Sequence, residues 1–398
     1  MLRMPTAGTP YDLVEIARAT LGLCENDRAQ TAFSRSLKKY LDVENLILVN
    51  SGTTACYLLL ELFKKIRISD KRNEIILPAY TAPSLLLPIR AAGLNAVLVD
   101  TDPDTFNIDI RKIRAAITPQ TLAIMPVHMF GLPVDIAPIV EAVTEQEIFI
   151  IEDAASSLGS VIGGRQTGAI APFGFYSLNR GKNVSTLAGG IIVWKEPGYT
   201  ALLKDLAANL PPVSHKAEFL MWLRFLGLSM AVRPLGYTAL APILAKFKYT
   251  TLHTHFDSFA YTDMQAALGK ILWRRIEHLT NRRVENGLAL MRIFAGRPGF
   301  TTPTILPDAM AAFNQFPVIV HDLGRRQRLQ EKLLKIGIET TLMYEKPLHY
   351  IFPELNPRTY DNFPQATYLA EHLLLIPPHT QIGLALLKKI KTIVEATD

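Results

Sequence analysis

Cysteine is nearly absent from this 398-residue sequence: Cys24 and Cys56 are the only two, far apart. They offer neither a disulfide framework nor a thiolate cluster for a metal. Charge of one sign is also missing, since 42 Lys and Arg face 36 Asp and Glu for a net +6. The basic residues are scattered, and RRQR at 325–328 reads as a solvated helix face rather than a nucleic-acid patch. No uncharged apolar run approaches the roughly 20 residues of a membrane span. The opening MLRMPTAGTPYDL lacks a charged start followed by an apolar run, so the expectation is a cytoplasmic protein. Repeats and low-complexity linkers are absent too.

Several chemistries fall away with their motifs. No His-Glu-x-x-His occurs, and His253 with His255 alone is a weak metal signal, so no metal is expected. A Gly-x-Ser-x-Gly elbow is missing, because ASSLG begins with Ala155. GKN at 181–183 tempts a phosphate-loop reading, but Tyr176 and Asn183 stand where that motif needs glycine and Ser or Thr.

What is present is apolar residue, 49% of the chain, enough for a large core shared by two domains. From about 46 to 194, short apolar runs alternate with helical stretches: LILVN, EIILP, NAVLVD, LAIMPV, IFIIED, FGFYSL and GGIIVW. Near-continuous apolar strands alternating with helices predict an α/β fold, a mostly parallel seven-stranded sheet sandwiched by helices. Ligands of such sheets sit at the carboxyl ends of the strands. Polar residues gather there: Ser51-Gly52-Thr53, Tyr80, His128, and Glu152 with Asp153, while Lys182 lies in a Gly-rich turn.

A lysine in a pocket is a salt-bridge partner or a nucleophilic amine. Its companions favour the amine. Asp153 suits a cationic ring nitrogen, Ser51-Gly52-Thr53 with Ser177 suits a phosphate at a helix N-terminus, and Tyr80 suits stacking on an aromatic ring. Together they describe a site for pyridoxal 5'-phosphate.

The segments NSGTTACYLLLEL, ILPAYTAPSLLLPIRAAGLNAVLVDTDPDTFNID, PVHMFGLPVDI, IIEDAASSLG and SLNRGKN resemble the DegT/DnrJ/StrS-type nucleotide-sugar aminotransferases. So do MQAALGKILWRRIEHLTNRR, FPVIV, KIGIETTLMYEKPLH and LLLIPPH in the C-terminal third. The resemblance implies an aspartate-aminotransferase-like fold with a smaller C-terminal α+β domain, here 251–398 after a large domain 1–250. It makes Lys182 the Schiff-base lysine and proton shuttle, and Asp153 the partner of the pyridine nitrogen. Tyr80 takes the stacking position, and Gly52, Thr53 and Ser177 the phosphate positions. Ser156 replaces the glutamine or histidine that contacts the cofactor. His128, Tyr344 and His349 fall in segments near the substrate. A homodimer, an amino donor such as glutamate and a keto-sugar acceptor are implied as partners.

Four positions depart from the family: Ser156, Ala188 in place of an acidic residue, and, within SFAY, Ser258 and Ala260 where Asn and Arg reach the neighbouring subunit's phosphate site. Lys182 itself separates the chain from the dehydratase branch, where histidine stands. A lipid-linked sugar or cyclitol as acceptor, or a regulatory homologue without turnover, are the alternatives. The apolar stretch 216–248, carrying Lys216, Arg224, Arg233, Lys246 and Lys248 against Glu218, is expected to be two short helices split at Pro234. It reads as an insert buried over the site or against a partner subunit, or as a surface docking shallowly on an anionic membrane.

Overall fold

The computed structural model describes residues 3, 12–22, 29–67, 71–231, 233, 235–239, 252, 254–355 and 362–397. Helices α1 (Leu13–Gly22) and α2 (Ala29–Leu41) precede strand β1 (Asn45–Val49). Helices and strands then alternate: α3 (Gly52–Ile66), β2 (Glu74–Pro78), α4 (Leu86–Ala91), β3 (Asn95–Val99) and α5 (Ile110–Ala116). β4 (Thr121–Ile124), α6 (Ala137–Val143) and β5 (Phe149–Asp153) follow. Short β6 (Val161–Ile162) and β7 (Arg165–Gln166) lead into β8 (Phe173–Ser177), β9 (Gly190–Trp194), α7 (Thr200–Ala208) and α8 (His215–Ala231).

Seven of these strands form one sheet in the order β1-β9-β8-β5-β4-β2-β3. β8, β5, β4, β2 and β3 pair in parallel, and only β9 runs against its neighbours. This is the mostly parallel sheet the apolar runs predict, because strands covered on both faces cannot alternate polar and apolar residues. α3 and α4 pack on one face through Leu59, Leu62, Phe63 and Ile89, all fully buried. Ile113 of α5 and Ile139 of α6 cover another part of the sheet. β3 and β4 both flank β2, so the strand order reverses there and leaves a crevice at the carboxyl ends.

After α8, helices α9 (Asp263–Trp273) and α10 (Ile276–Phe294) lead to β10 (Phe300–Thr301), β11 (Ala309–Met310) and β12 (Phe316–Val320). The chain closes with α11 (Leu323–Lys335), α12 (Leu348–Ile351), α13 (Pro364–His372), β13 (Leu373–Ile376) and α14 (Leu384–Glu395). β10-β12-β13 is an antiparallel sheet carrying α10, α11 and α14, the expected C-terminal α+β unit.

α9 follows position 250, and its Ala266, Leu268 and Leu272 share a buried cluster with Phe33 and Leu37 of α2 and Phe225 of α8. Trp273 of α9 meets Phe33 and Tyr40 edge-on at 5.8 and 5.1 Å. The insert follows its expected division as far as it is described: α8 ends at Ala231, Arg233 is not helical, and 235–239 are helical again. Pro234, Lys246, Lys248, Cys24 and His253 lie outside the described residues.

Candidate active site

A cavity of about 1250 Å³ opens at the carboxyl ends of the strands. Its floor comes from β5 and β8. Alternation along a strand sends neighbouring side chains to opposite faces, and Asp153 turns into the cavity while Glu152 turns away. Phe175, in register with Asp153 across the parallel pair, and Ser177 two residues on line the same wall. Asp153 is pinned by backbone hydrogen bonds in which its N–H donates to Pro126 and its carbonyl accepts from His128, at 2.9 and 3.0 Å. Its Oδ1 accepts from the Ala155 N–H at 2.9 Å. Burial raises the Asp153 carboxyl above the usual carboxylate range, with the Ala155 N–H, Lys182 and His128 working against that rise.

Lys182 sits in the turn between β8 and β9. That turn is closed by Leu178 N–H to Gly189 and Thr186 N–H to Leu178 carbonyl bonds of 2.7 and 2.9 Å. Gln265 donates from Nε2 to the Ala188 carbonyl at 2.7 Å, and the Thr186 and Tyr261 hydroxyls lie 2.9 Å apart, so α9 braces the turn. The Lys182 ammonium donates to Ser156 Oγ at 2.8 Å. Burial pushes its pKa down, and Asp153 opposes that shift.

The third wall is the N-terminus of α3. Ser51 caps it, its Oγ accepting from the Thr54 N–H at 3.0 Å. Gly52 and Thr53 line the cavity beside Ser177. A Cβ on Gly52 would stand 3.1 Å from the Ser177 Cβ, so glycine is what leaves the helix N–H groups open to an anion. β9 begins closer still. A Cβ on Gly190 would lie 2.1 Å from the Ser51 carbonyl oxygen.

Two segments far away in sequence complete the enclosure. His255, Phe256, Asp257 and Phe259 line the cavity, as do Ala217, Met221 and Arg224 of α8. Asn50 Nδ2 donates to the Asp257 carbonyl at 2.8 Å, and the Thr54 hydroxyl lies 3.3 Å from Ser258 Oγ. Ala260 bridges Val49. The SFAY segment, which departs from the family's at Ser258 and Ala260, packs here against its own chain's α3 N-terminus. Tyr344, Glu345 and Lys346 line the mouth.

Of the residues singled out from sequence, Gly52, Thr53, Asp153, Ser177, Lys182 and Tyr344 line this one cavity. Ser156 meets the lysine amine instead of the open space. Tyr80 is fully buried and does not line the cavity. Its ring lies behind Tyr344, edge-on at 6.0 Å, so the expected stacking position is not presented to the cavity. His128 is enclosed as well. It is fully buried, its Nε2 is 2.9 Å from Glu152 Oε2, and its Nδ1 accepts from the Val134 N–H at 2.9 Å, leaving no ring nitrogen for a substrate. Glu152 in turn accepts from the N–H groups of Gly168, Ile170 and Ala171 and serves the core. His349 is buried in α12 with Nε2 3.3 Å from the Thr367 hydroxyl, and the cavity lining excludes it.

Sequence reading missed Gln265, Phe175, Arg180 and Arg224. For Gln265 a signal existed: Thr262 and Gln265 form the capping box that opens α9. Among the described residues no group of three or more His, Cys, Asp or Glu side chains is arranged to hold a metal.

The fold is shared with solved sugar aminotransferases. Helicobacter pylori PseC, an aminotransferase involved in the biosynthesis of pseudoaminic acid, superposes with a TM-score of 0.79 at 20% identity over 99% of both chains. The GDP-perosamine synthase of Caulobacter vibrioides is 33% identical over 199 residues, 50% of this chain and 53% of that one. The GDP-4-keto-6-deoxy-D-mannose 3-dehydratase of Yersinia pseudotuberculosis is 26% identical over 85% of this chain and 84% of its own. The chain is thus a pyridoxal-phosphate-dependent aminotransferase in class. The family model for the DegT/DnrJ/EryC1/StrS aminotransferase family matches residues 17–230 and 243–396, and the chain belongs to that family.

The donor set fits the cofactor. One cavity presents an amine with a depressed pKa, a buried carboxylate on the neighbouring strand, and a helix N-terminus cleared of side chains by Gly52.

Proposed function

We propose that the chain moves an amino group from glutamate to the keto group of a nucleotide-linked sugar, with Lys182 as the reacting amine. The observation that carries this reading is the meeting of Lys182 and Asp153 in a cavity whose far wall is the N-terminus of α3. Pyridoxal phosphate, when bound, supplies an aldehyde for amines to condense with and a ring that takes up electrons as a proton leaves carbon. Everything else is the protein's. Asp153 would face the ring nitrogen and hold its proton by a charge-assisted hydrogen bond. Thr53, Ser177 and the free N–H groups of the first turn of α3 would take the phosphate. Lys182, whose pKa burial pushes down, would accept the proton of the donor's α-carbon and return it from the same Nζ. Ser156 would keep that amine aimed while it waits.

The acceptor assignment rests on chemistry at the mouth and on relatives that use GDP-linked sugars. Arg180, Arg224 and Lys346 line the cavity with no ion-pair partner among the described residues, which suits a diphosphate. The same reading takes the working unit to be a cytoplasmic homodimer. A panel of GDP- and dTDP-linked keto sugars, offered to glutamate-treated protein and followed by mass spectrometry, tests it. An amino sugar formed in step with 2-oxoglutarate is the expected product. A deoxygenated keto sugar would instead align the chain with the Yersinia dehydratase.

A further inference from the structure

One face of α8 is apolar and uncovered. Phe219, Leu220 and Leu223 are 58%, 44% and 44% exposed, with Lys216 and Gly227 on the same side. The opposite side carries the buried Phe225 and Ser229, which seat the helix. The exposed face continues across a seam. Trp222 stacks beside Phe219 at 6.3 Å between ring centres, and its Nε1 donates to Thr20 of α1 at 3.0 Å. α1 itself exposes Leu13, Val14 and Leu21, the last at 72%. Exposed apolar side chains gathered on two adjoining helices mark an interaction site.

Its charges indicate the partner. Arg18 and Lys216 are exposed with no ion pair among the described residues, and Arg233 lies 3.8 Å from Asp12. Glu15 is engaged by Arg275 at 2.9 Å. A second copy meeting this surface across a twofold axis would set the patch against itself and crowd like charges. An anionic bilayer surface satisfies both halves, taking the apolar side chains below the headgroups and the basic ones among them. Among the described residues no helix is long and apolar enough to cross a membrane. We infer that α1 and α8 dock this protein peripherally on an anionic lipid surface. Because Ala217, Met221 and Arg224 of α8 also line the active-site cavity, docking brings the cavity mouth to headgroup level.

The test is co-sedimentation of the full-length holoenzyme with vesicles of phosphatidylglycerol and phosphatidylcholine, against phosphatidylcholine alone. Binding to the anionic vesicles is expected, with weaker binding to neutral ones and a loss on raising salt. Phe219→Ser with Leu223→Ser should cut partition at least about tenfold, from the apolar area withdrawn. Lys216→Glu, fully on the surface, should weaken binding to anionic vesicles only. Both variants should keep the native mass in light scattering and the native half-reaction with glutamate. No binding to anionic vesicles overturns the inference, as does binding unchanged in both variants. A serine variant that breaks an oligomer would assign the face to a second copy and overturn it equally.

Discussion

Replacing Gly190 by alanine tests how tightly the cofactor cup is built. The new Cβ would stand 2.1 Å from the Ser51 carbonyl oxygen, 2.4 Å from its carbon and 2.9 Å from the Gly52 nitrogen. Ordinary contact begins at 3.4 Å, so against 2.1 Å the two segments must separate by about 1.3 Å. All three neighbours are backbone, and no side chain can swing aside. The strain falls on the start of α3, where Ser51 Oγ caps the Thr54 N–H at 3.0 Å. Overpacking of this kind costs about 1–3 kcal/mol, and a weakened cap adds about 1 kcal/mol. At about 2.1 cal/mol/K of unfolding entropy per residue, a total of about 2–4 kcal/mol corresponds to a fall in Tm of roughly 2–5 °C for a chain of 398 residues. Misplacing the phosphate cup by about 1 Å should also slow the half-reaction with glutamate roughly 100-fold. Thermal unfolding of the apoprotein and the single-turnover rate of the loaded enzyme with glutamate measure the two effects separately, and cofactor titration shows whether the cup still binds. Gly227→Ala is the control: nothing lies within 4 Å of that Cβ in α8, and the change should stabilise by about 1 kcal/mol. Native Tm and native cofactor affinity in Gly190→Ala would refute the close approach of β9 to the α3 N-terminus.

Asp153→Asn should lower the single-turnover rate with glutamate by orders of magnitude, since a neutral amide cannot hold a proton on the ring nitrogen; a native rate would reduce Asp153 to a strand-end residue. Ser156→Ala removes an acceptor that favours the charged lysine, so the pH midpoint for cofactor capture by the apoprotein should move down. An upward or absent shift would separate Ser156 from the lysine. His379 concerns stability. Burial, with Arg283 nearby, holds its pKa at about 4 against an ordinary 6.5, and its Nδ1 accepts from the Gln381 N–H at 3.2 Å. Between those values the unfolded chain binds a proton that the folded one refuses, so stability falls as pH drops from 6.5 to about 4, by up to about 3 kcal/mol. Denaturant unfolding across that range should show a shallower slope for His379→Gln, and equal slopes would contradict the burial argument.

The sheet was legible because each strand is a nearly unbroken apolar run, and such runs have few other places to go in a chain this long. Lys182, Asp153 and the Ser51-Gly52-Thr53 turn were legible because strand ends and helix starts are local features. Orientation was harder. Glu152 and Asp153 look alike at the end of one strand, yet one is consumed by His128 and three N–H groups and the other faces the cavity. Only the parity of the strand against its neighbours decides between them. Tyr80 and His128 follow their strands closely enough to be buried behind the lining. The contacts of the enclosing residues were harder still, although an insert over the site was one expectation: 255–259 and α8 reach the cavity across some 35 to 77 positions from Lys182 and 165 or more from the start of α3. No local pattern encodes such a contact.

Among the described residues two lysines line the cavity, Lys182 and Lys346, and the proposed chemistry falls to the first. Borohydride reduction of the holoenzyme followed by peptide mass mapping separates them, because it fixes the cofactor to whichever amine it has bonded. The mass of the reduced cofactor is expected on the peptide containing Lys182 and on no other. Finding it on Lys346, or on no peptide of a fully loaded protein, would contradict the assignment.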